Sequence, residues 1–358
     1  MLYIVFTTGR CNLACWYCGG SFSKDKVPWS VRYPVEALKR FISGDPEPVI
    51  AFYGGEPLLN PKFIEEVMDE IPRARFVIQT NATLINSLKP DYWLRFDAAL
   101  LSIDGREEVT DYYRGRGIYK TVVKSAETLR RLGFKGDLIA RMTISELSDV
   151  YLDVTHLASL NLFDHIHWQL DVVWSSRWRD FGGWCRNSYI PGLERLVELW
   201  LDEAGRGRVL GIVPFISLLG YMIRGDEIER PPCGSGSSSL AISTDGTVLA
   251  CPIAVDVNWA RLGNIMRDSR LSLVGRVKIG EPCTHCSLLR YCGGRCLYAH
   301  IERLWGDEGF EKVCNLTRHL IKSLMEIRDR VLKLIDGGVI PEEEFEYPPF
   351  NNTTEIIP

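Results

Sequence analysis

The stretch LYIVFTTGRCNLACWYC, residues 2–18, decides the fold. Its first seven residues, Leu2–Thr8, are apolar and β-branched, which predicts a buried first strand. Cys11, Cys15 and Cys18 follow at once, spaced as CxxxCxxC on one short loop. Three thiolates on one loop can bind three irons of a cubane cluster and leave the fourth iron open, as a catalytic cluster requires. The stretch therefore predicts a strand that leads into an iron–sulfur loop.

A zinc ion is the alternative occupant of this loop. Structural zinc usually takes four ligands from paired loops, and no fourth ligand lies nearby in the sequence. The chain has 11 cysteines, and all but Cys185 fall in two groups, one toward each end. Disulfide frameworks belong mainly to small secreted domains, whereas thiols of a reducing cytosol more often bind metals. We therefore expect both groups to be metal ligands.

Composition narrows the class of protein. The 358 residues are 46% hydrophobic and 25% charged, with a net charge of −4, which is typical of a globular protein. Nothing here indicates a general nucleic-acid or membrane-surface partner. No stretch approaches the roughly 20 apolar residues that span a bilayer, and the first strand lacks the basic start of a signal peptide. We expect a cytoplasmic protein with no membrane or nucleic-acid partner.

Strand and helix patterns alternate along the first two thirds of the chain. The five further strand-like runs are Val49–Tyr53, Phe76–Gln79, Ala98–Ile103, Leu138–Ile144 and Ile166–Val173. The helical stretches between and after them are Val35–Ser43, Pro61–Ile71, Asn86–Arg95, Tyr119–Leu132, Val150–Leu160 and Gly192–Ala204. Six such repeats predict an α/β protein with a parallel sheet curled into a partial (β/α)6 TIM-type barrel. The active site of such a barrel forms from the loops after the strands.

Polar and glycine-rich residues stand after these strands. Gly54 and Gly55 allow the backbone to approach a ligand closely, and the carboxylate of Glu56 can accept a hydrogen bond from an ammonium group. Asn81 and Asp104 follow the third and fourth strands, where short polar side chains bind ligands or simply form turns. A turn with surface side chains is the alternative interpretation of each of these motifs.

A second region opens near Pro231. Its cysteines are Cys233, Cys251, Cys283, Cys286, Cys292, Cys296 and Cys314. A hairpin that turns at Asp245-Gly246 precedes Cys251, and a helix over Cys314–Leu334 closes the region. The tail from Gly337 is polar and proline-rich, so we expect order there only through docking. The predicted units are a barrel at 1–215, a cysteine-rich domain at 216–336 and a tail at 337–358.

The CxxxCxxC loop, with the aromatic Tyr17 before its last cysteine, resembles the signature of the radical S-adenosylmethionine (SAM) superfamily. Gly54-Gly55-Glu56-Pro57 is similar to the GGEP motif of that family. The resemblance implies a [4Fe–4S] cluster on Cys11, Cys15 and Cys18, whose open iron holds SAM. Reductive cleavage of SAM then gives a 5′-deoxyadenosyl radical that abstracts hydrogen from a substrate. The implied SAM-binding residues are Tyr17, Gly54, Gly55, Glu56, Asn81, Ser102, Asp104 and Arg114.

The seven later cysteines resemble the SPASM domain, which carries two auxiliary [4Fe–4S] clusters. The resemblance assigns Cys283, Cys286, Cys292 and Cys314 to an outer cluster. It assigns Cys233, Cys251 and Cys296 to an inner cluster, and the extra cysteine of some relatives is missing from Glu227–Pro232. The inner cluster then has an open iron or a distant ligand such as Cys185. Pro252 stands where formylglycine-forming relatives place an aspartate, which argues against that chemistry.

SPASM enzymes mostly modify peptides or proteins, so a peptide or protein substrate is expected. Oxidation, crosslinking and epimerisation remain open. We expect an external one-electron donor of ferredoxin or flavodoxin type and, because the cluster loop starts at residue 11, no preceding peptide-recognition domain. The rival activities are a small-molecule substrate, such as a heme or cofactor precursor, and a non-catalytic electron carrier. Four tryptophans can line a cleft or pack in the core: Trp168, Trp174, Trp178 and Trp184.

Overall fold

A computed structural model describes residues 1–173, 178–228 and 230–351. Trp174 therefore lies outside the described residues, as does the end of the tail. The strands of the described chain are β1 Leu2–Thr8, β2 Val49–Gly54, β3 Arg75–Thr80, β4 Ala98–Ser102, β5 Asp137–Ile144, β6 His165–Leu170, β7 Ser239–Ile242, β8 Thr247–Leu249 and β9 Arg261–Asn264. They form one sheet in the order β6-β5-β4-β3-β2-β1-β7-β8-β9.

Helices cover the outside of this sheet. They are α1 Val35–Ile42, α2 Pro61–Glu70, α3 Pro90–Trp93, α4 Glu107–Arg114, α5 Ile118–Leu132, α6 Val150–Ser159, α7 Phe181–Trp184, α8 Ile190–Gly205, α9 Val213–Arg224, α10 Leu289–Cys292, α11 Leu297–Glu302 and α12 Gly306–Asp336. Strands β1 to β6 pair in parallel with their neighbours. The predicted α/β partial barrel is confirmed.

Residue alternation along the strands separates two cores. Tyr3 and Val5 of β1 lie in the large core beneath the helices, whereas Ile4 and Phe6 lie in a smaller core. That smaller core also contains interior-facing residues of β2 to β5 such as Leu100. Because both faces of a parallel sheet are buried, the strands read as continuous apolar runs in the sequence.

The predicted helix over Asn86–Arg95 is wrong in its extent. The segment contains a short 3-10 turn at Ile85–Ser87 and the four-residue helix α3. Pro90 lacks a backbone N–H and pushes Lys89 into an extended conformation, so a continuous helix cannot cross this point. Five helices were not predicted: α4, α7, α9, α10 and α11.

The cysteine-rich region shares the barrel sheet. Strand β7 pairs in parallel with β1, with Leu2 opposite Ser239, and β8 returns antiparallel from β7. Gly246 adopts a φ of 83° in the turn between them, at the position that the sequence predicts. Helix α12 begins eight residues before the predicted Cys314 and packs on α8 and α9.

The described part of the tail docks at the amino-terminal ends of strands β3 and β5. The guanidinium of Arg75 donates to the carbonyl of Pro349 and, at 2.6 Å, to Oδ1 of Asn351. Asn351 in turn donates to Asp137 at 3.0 Å. Phe345 is 1% exposed and contacts Trp200 edge-on. Among the described residues, no helix has the length and apolarity to cross a membrane.

Phe345→Ala should lower the free energy of unfolding by about 3–5 kcal/mol, because it leaves a cavity where a buried ring packs. Chemical denaturation of the intact chain measures this change. Val339→Ala in the same tail is the control, since Val339 is 41% exposed. Equal effects of the two substitutions would contradict docking through Phe345.

Candidate active site

The cysteine loop is shaped by backbone hydrogen bonds. The amides of Cys18 and Gly19 both donate to the carbonyl of Cys15, which gives the loop a helical turn. The amide of Cys11 donates to Ser21 Oγ at 2.9 Å. The amide of Leu13 donates to Cys11 Sγ at 3.4 Å, a bond that stabilises a thiolate. A hydrogen bond with Cys15 lowers the pKa of Cys18 to about 6.

The glycine pair lets the end of β2 approach this loop. The amide of Gly55 donates to the carbonyl of Thr8, and the amide of Glu56 donates to that of Arg10 at 2.7 Å. A Cβ on Gly54 would lie 2.3 Å from the Thr8 oxygen, and one on Gly55 would lie 2.0 Å from the Arg10 oxygen. The glycines thus make room for the protein's own backbone, and both also border the cavity described below.

Glu56 is 1% exposed, and its carboxylate joins its own turn to the end of β3 and the loop after it. Its Oε1 accepts from the Leu58 amide at 3.0 Å and from the Thr80 hydroxyl at 2.6 Å, and its Oε2 accepts from the Asn81 amide at 2.8 Å. Burial raises the pKa of Glu56 to about 7 despite these donors. The carboxylate therefore fixes the loop after β3 against the GGEP turn, and it still borders the cavity described below.

Asp104 holds two predicted site residues in place. Arg114 binds it bidentately, with Nε 2.8 Å from Oδ2 and Nη2 2.7 Å from Oδ1. The Tyr17 hydroxyl donates to Oδ2 at 2.8 Å, and the Thr143 amide donates to Oδ1 at 2.8 Å. Asp104 is fully buried and does not border the cavity. Asp104 positions Arg114 and Tyr17, both of which line the cavity. Nε and Nη2 of Arg114, the residue that we expect to bind SAM, donate to Asp104.

One cavity of about 520 Å³ opens above the strand ends. The predicted residues that line it are Cys11, Cys15, Cys18, Tyr17, Gly54, Gly55, Glu56, Asn81, Ser102 and Arg114. Sequence reasoning missed Arg141, Gln169 and Asp171, which line it as well. Arg141 is 3% exposed and contacts His167 on β6. A charged residue within the apolar run of β5 was the signal that could have revealed it.

The inner and outer cysteine sets occupy different places. Cys233, Cys251 and Cys296 line the large cavity, opposite the CxxxCxxC loop. Cys283, Cys286, Cys292 and Cys314 line a second cavity of about 150 Å³, and Cys296 borders both. Cys185 borders neither of these two cavities, and burial raises its pKa to about 11.

These thiols fit iron–sulfur clusters by their chemistry. Backbone amides donate to Cys292 Sγ from Gly294 and to Cys296 Sγ from Ala299, at 3.4 and 3.5 Å. Within the described residues, no group of three or more His, Cys, Asp or Glu side chains is arranged around one metal ion. A cubane differs from a single ion because each thiolate binds its own iron.

The described tryptophans pack away from the large cavity. Trp168 is fully buried and donates to the Tyr189 hydroxyl, and Trp184 stacks on Tyr189. Trp178 donates to the carbonyl of Asp171 at 2.7 Å and lies 4.7 Å from Trp184, centroid to centroid. Core packing, the commoner role of tryptophan, accounts for Trp168 and Trp184. Trp178 is half-buried against the core and lines a separate cavity of about 190 Å³.

A strand-to-loop cysteine triad, a neighbouring glycine-rich turn and a cavity at the carboxyl ends of a partial barrel define a radical SAM enzyme. Residues 5–149 match the family model of the radical SAM superfamily. This part of the chain is a radical SAM domain, and that family binds a [4Fe–4S] cluster and SAM as cofactors.

Curated relatives match most of the chain. It is 24% identical, over 82% of its length and 88% of the relative, to a cysteine-type anaerobic sulfatase-maturating enzyme of Clostridium perfringens. It is 27% identical, over 82% and 77%, to the mycofactocin maturase MftC of Mycobacterium tuberculosis.

Solved structures share the fold. The anSMEcpe structure with bound AdoMet superposes with a TM-score of 0.75 at 19% identity and covers 94% of this chain and 100% of that one. Streptococcus suis SuiB bound to the precursor peptide SuiA gives 0.54 at 16% identity, over 82% and 71%. The superposition on anSMEcpe extends through the cysteine-rich region, so the predicted fold, a partial barrel followed by a cysteine-rich C-terminal region, is confirmed.

Gly55→Ala should displace the cluster loop, because its Cβ would overlap the Arg10 carbonyl. We expect the iron content of the anaerobically reconstituted protein to fall by about four per chain, one cubane. Gly205→Ala is the control, since its Cβ would meet no atom within 4 Å. Full iron content in Gly55→Ala would show that the close approach is dispensable.

Proposed function

We propose that this enzyme modifies a peptide or protein by radical chemistry in the cavity between the CxxxCxxC loop and the inner cysteines. One observation carries the proposal: Cys11, Cys15 and Cys18 border the same 520 Å³ space as Cys233, Cys251 and Cys296. Two relatives are named maturation enzymes, and structures of two fold relatives hold peptides. A substrate placed there contacts both cysteine sets.

The chain's own residues have distinct proposed tasks. Cys11, Cys15 and Cys18 hold the cluster, and Glu56, Asn81, Ser102 and Arg114 border the space for SAM. The ring of Tyr17 packs beneath the Arg114 guanidinium, whose Cζ lies 5.3 Å from the centroid of that ring. This cation–π contact limits the movement of the guanidinium. When bound, the cluster and SAM supply a 5′-deoxyadenosyl radical that removes hydrogen from the substrate. An external ferredoxin- or flavodoxin-type protein is the proposed electron donor.

Two auxiliary [4Fe–4S] clusters complete the proposed cofactor set. Support for the outer one is that its four cysteines line one small cavity, and burial raises the pKa of Cys283 to about 11 with further repulsion from the other three thiols. Bringing four thiols together in this way favours a group that takes them as thiolates. The proposed functional division of the chain remains 1–215, 216–336 and 337–358.

The proposed chemistry differs from formylglycine formation. Pro252, which cannot act as a base, lines the cavity directly after Cys251. Asp171 also lines the cavity, but its Oδ2 accepts a hydrogen bond from the Ser145 hydroxyl at 2.9 Å. It follows β6, which is the edge strand at the other end of the sheet from the cysteine-rich hairpin. The expected product is therefore another oxidation, a crosslink or an epimer.

Peptide substrates fully deuterated on carbon test the proposal. In the reduced, reconstituted enzyme, the 5′-deoxyadenosine formed from SAM should gain deuterium from a substrate peptide, as mass spectrometry measures. The variant with Cys11, Cys15 and Cys18 all replaced by Ala should contain about eight irons, where the parent holds about twelve. It should release no 5′-deoxyadenosine. SAM cleavage by this variant, or deuterium transfer only from small metabolites, would overturn the proposal.

Cys185 separates two states of the inner cluster. It lies beside Arg186, Asp180 and Lys312 and apart from the large cavity, so we propose that the fourth iron is open. Cys185→Ala should keep the iron content and absorption spectrum of the parent, and a small thiol should shift the spectrum by binding the iron. Cys296→Ala is the positive control and should lose about four irons. A Cys185→Ala variant that behaves like Cys296→Ala would identify Cys185 as the fourth ligand.

A further inference from the structure

A histidine outside every motif lies against the outer cysteine set. His300 belongs to α11 and is 7% exposed. Its Nδ1 lies 3.6 Å from Cys283 Sγ, and its Nε2 lies 3.0 Å from the backbone nitrogen of Gly280. The Cys283 amide donates to the Gly280 carbonyl, so one imidazole contacts both ends of a single turn. The edge of Phe310 packs on the ring.

The Gly280 contact fixes which ring nitrogen carries the proton. A backbone N–H can only donate, so Nε2 of His300 must present its lone pair. A neutral imidazole holds one proton, which is then on Nδ1. That N–H points at the sulfur of Cys283 within the distance range of a hydrogen bond to sulfur. The ring is therefore a donor toward the thiol, and it has no free lone pair to offer iron from Nδ1.

We infer that His300 raises the reduction potential of the outer auxiliary cluster by donating an N–H···S hydrogen bond to Cys283, an inference that rests on the proposed cofactor set. Hydrogen bonds to cluster sulfurs are one of the determinants of potential. Each added electron makes the cluster more negative, so a donor stabilises the reduced state more than the oxidised one. His300 is a positioning and tuning residue, not a ligand.

Backbone amides provide further hydrogen bonds of this kind to the outer set, such as that from Gly294 to Cys292 Sγ at 3.4 Å. A backbone amide cannot be removed by a side-chain substitution, whereas the imidazole can. Arg303 lies nearby, but its Nε donates to the His300 carbonyl and its Nη2 to the Glu281 carbonyl. Among the described side-chain contacts of the outer cysteines, the His300 ring is the donor that a substitution can test.

Potentials measured by EPR-monitored titration of the reconstituted full chain provide the first test. The outer-cluster signal is the one that changes in Cys314→Ala. His300→Phe keeps a ring but loses the donor, and the outer-cluster reduction equilibrium should become about tenfold less favourable, about 59 mV for one electron. His300→Asn should recover most of this shift, because its amide N–H replaces that of Nδ1.

His285→Phe is the matched control. His285 stands between Cys283 and Cys286 in sequence, but its side chain is 84% exposed and pairs with Glu281. We expect no change in the potential of the outer cluster. A shift equal to that of His300→Phe would assign the effect to loss of any nearby histidine and overturn the inference.

The parent protein labelled with [¹⁵N]histidine gives a test that does not depend on the stability of a variant. Pulsed EPR of the reduced outer cluster should show one weak histidine ¹⁵N coupling, and His300→Asn should abolish it. No coupling in the parent would overturn the hydrogen bond. An iron content too low for an outer cluster would overturn the proposed cofactor set and this inference together, whereas full iron content with an unchanged potential would overturn the inference alone.

Discussion

The close approach of two backbone segments governs the geometry of the site. The end of β2 lies against the start of the cluster loop, where the carbonyls of Thr8 and Arg10 accept from the amides of Gly55 and Glu56. No Cβ fits at either glycine. Since Glu56 then reaches the loop after β3, the position of the cysteine loop is coupled to two neighbouring strand ends. The cavity lining that comes from the ends of β1, β2 and β3 therefore depends on this contact.

The pairing of β1 with β7 attaches the second cysteine group to the barrel sheet. Cys233 precedes β7 and Cys251 follows β8, so both lie toward the open end of the hairpin. Because β7 pairs in parallel with β1, with Leu2 opposite Ser239, that open end lies beside the start of β1, and Cys233 and Cys251 both line the large cavity. The cysteine-rich region is thus structurally an extension of the barrel, although its sequence reads as a separate domain.

Apolar runs predicted the six barrel strands to within three residues at each end, because a strand buried on both faces leaves a continuous signal. The helix at Asn86–Arg95 failed since one proline overrode a helical pattern. The hydrogen-bond partners of individual side chains could not be predicted, because they come from segments that are distant in the sequence. The sequence predicts that Arg114 binds SAM, whereas in the structure its guanidinium binds the carboxylate of Asp104. The glycine pair makes room for the Thr8 and Arg10 carbonyls and also borders the cavity, so its role beside SAM stays a prediction.

The inner and outer cysteine sets are unequal, and in the proposed cofactor set this difference gives them different tasks. The outer cysteines number four, line a cavity of about 150 Å³ and are supported by His300. The inner cysteines number three and border 520 Å³ of space shared with the CxxxCxxC loop. Arg295 and Cys296 border both spaces, and only three residues separate Cys292 from Cys296. In the proposed cofactor set, an electron that leaves a substrate at the inner site would therefore have a short path to the outer one. A potential raised there by an N–H···S bond would draw the electron outward, which gives His300 a functional reason to face Cys283.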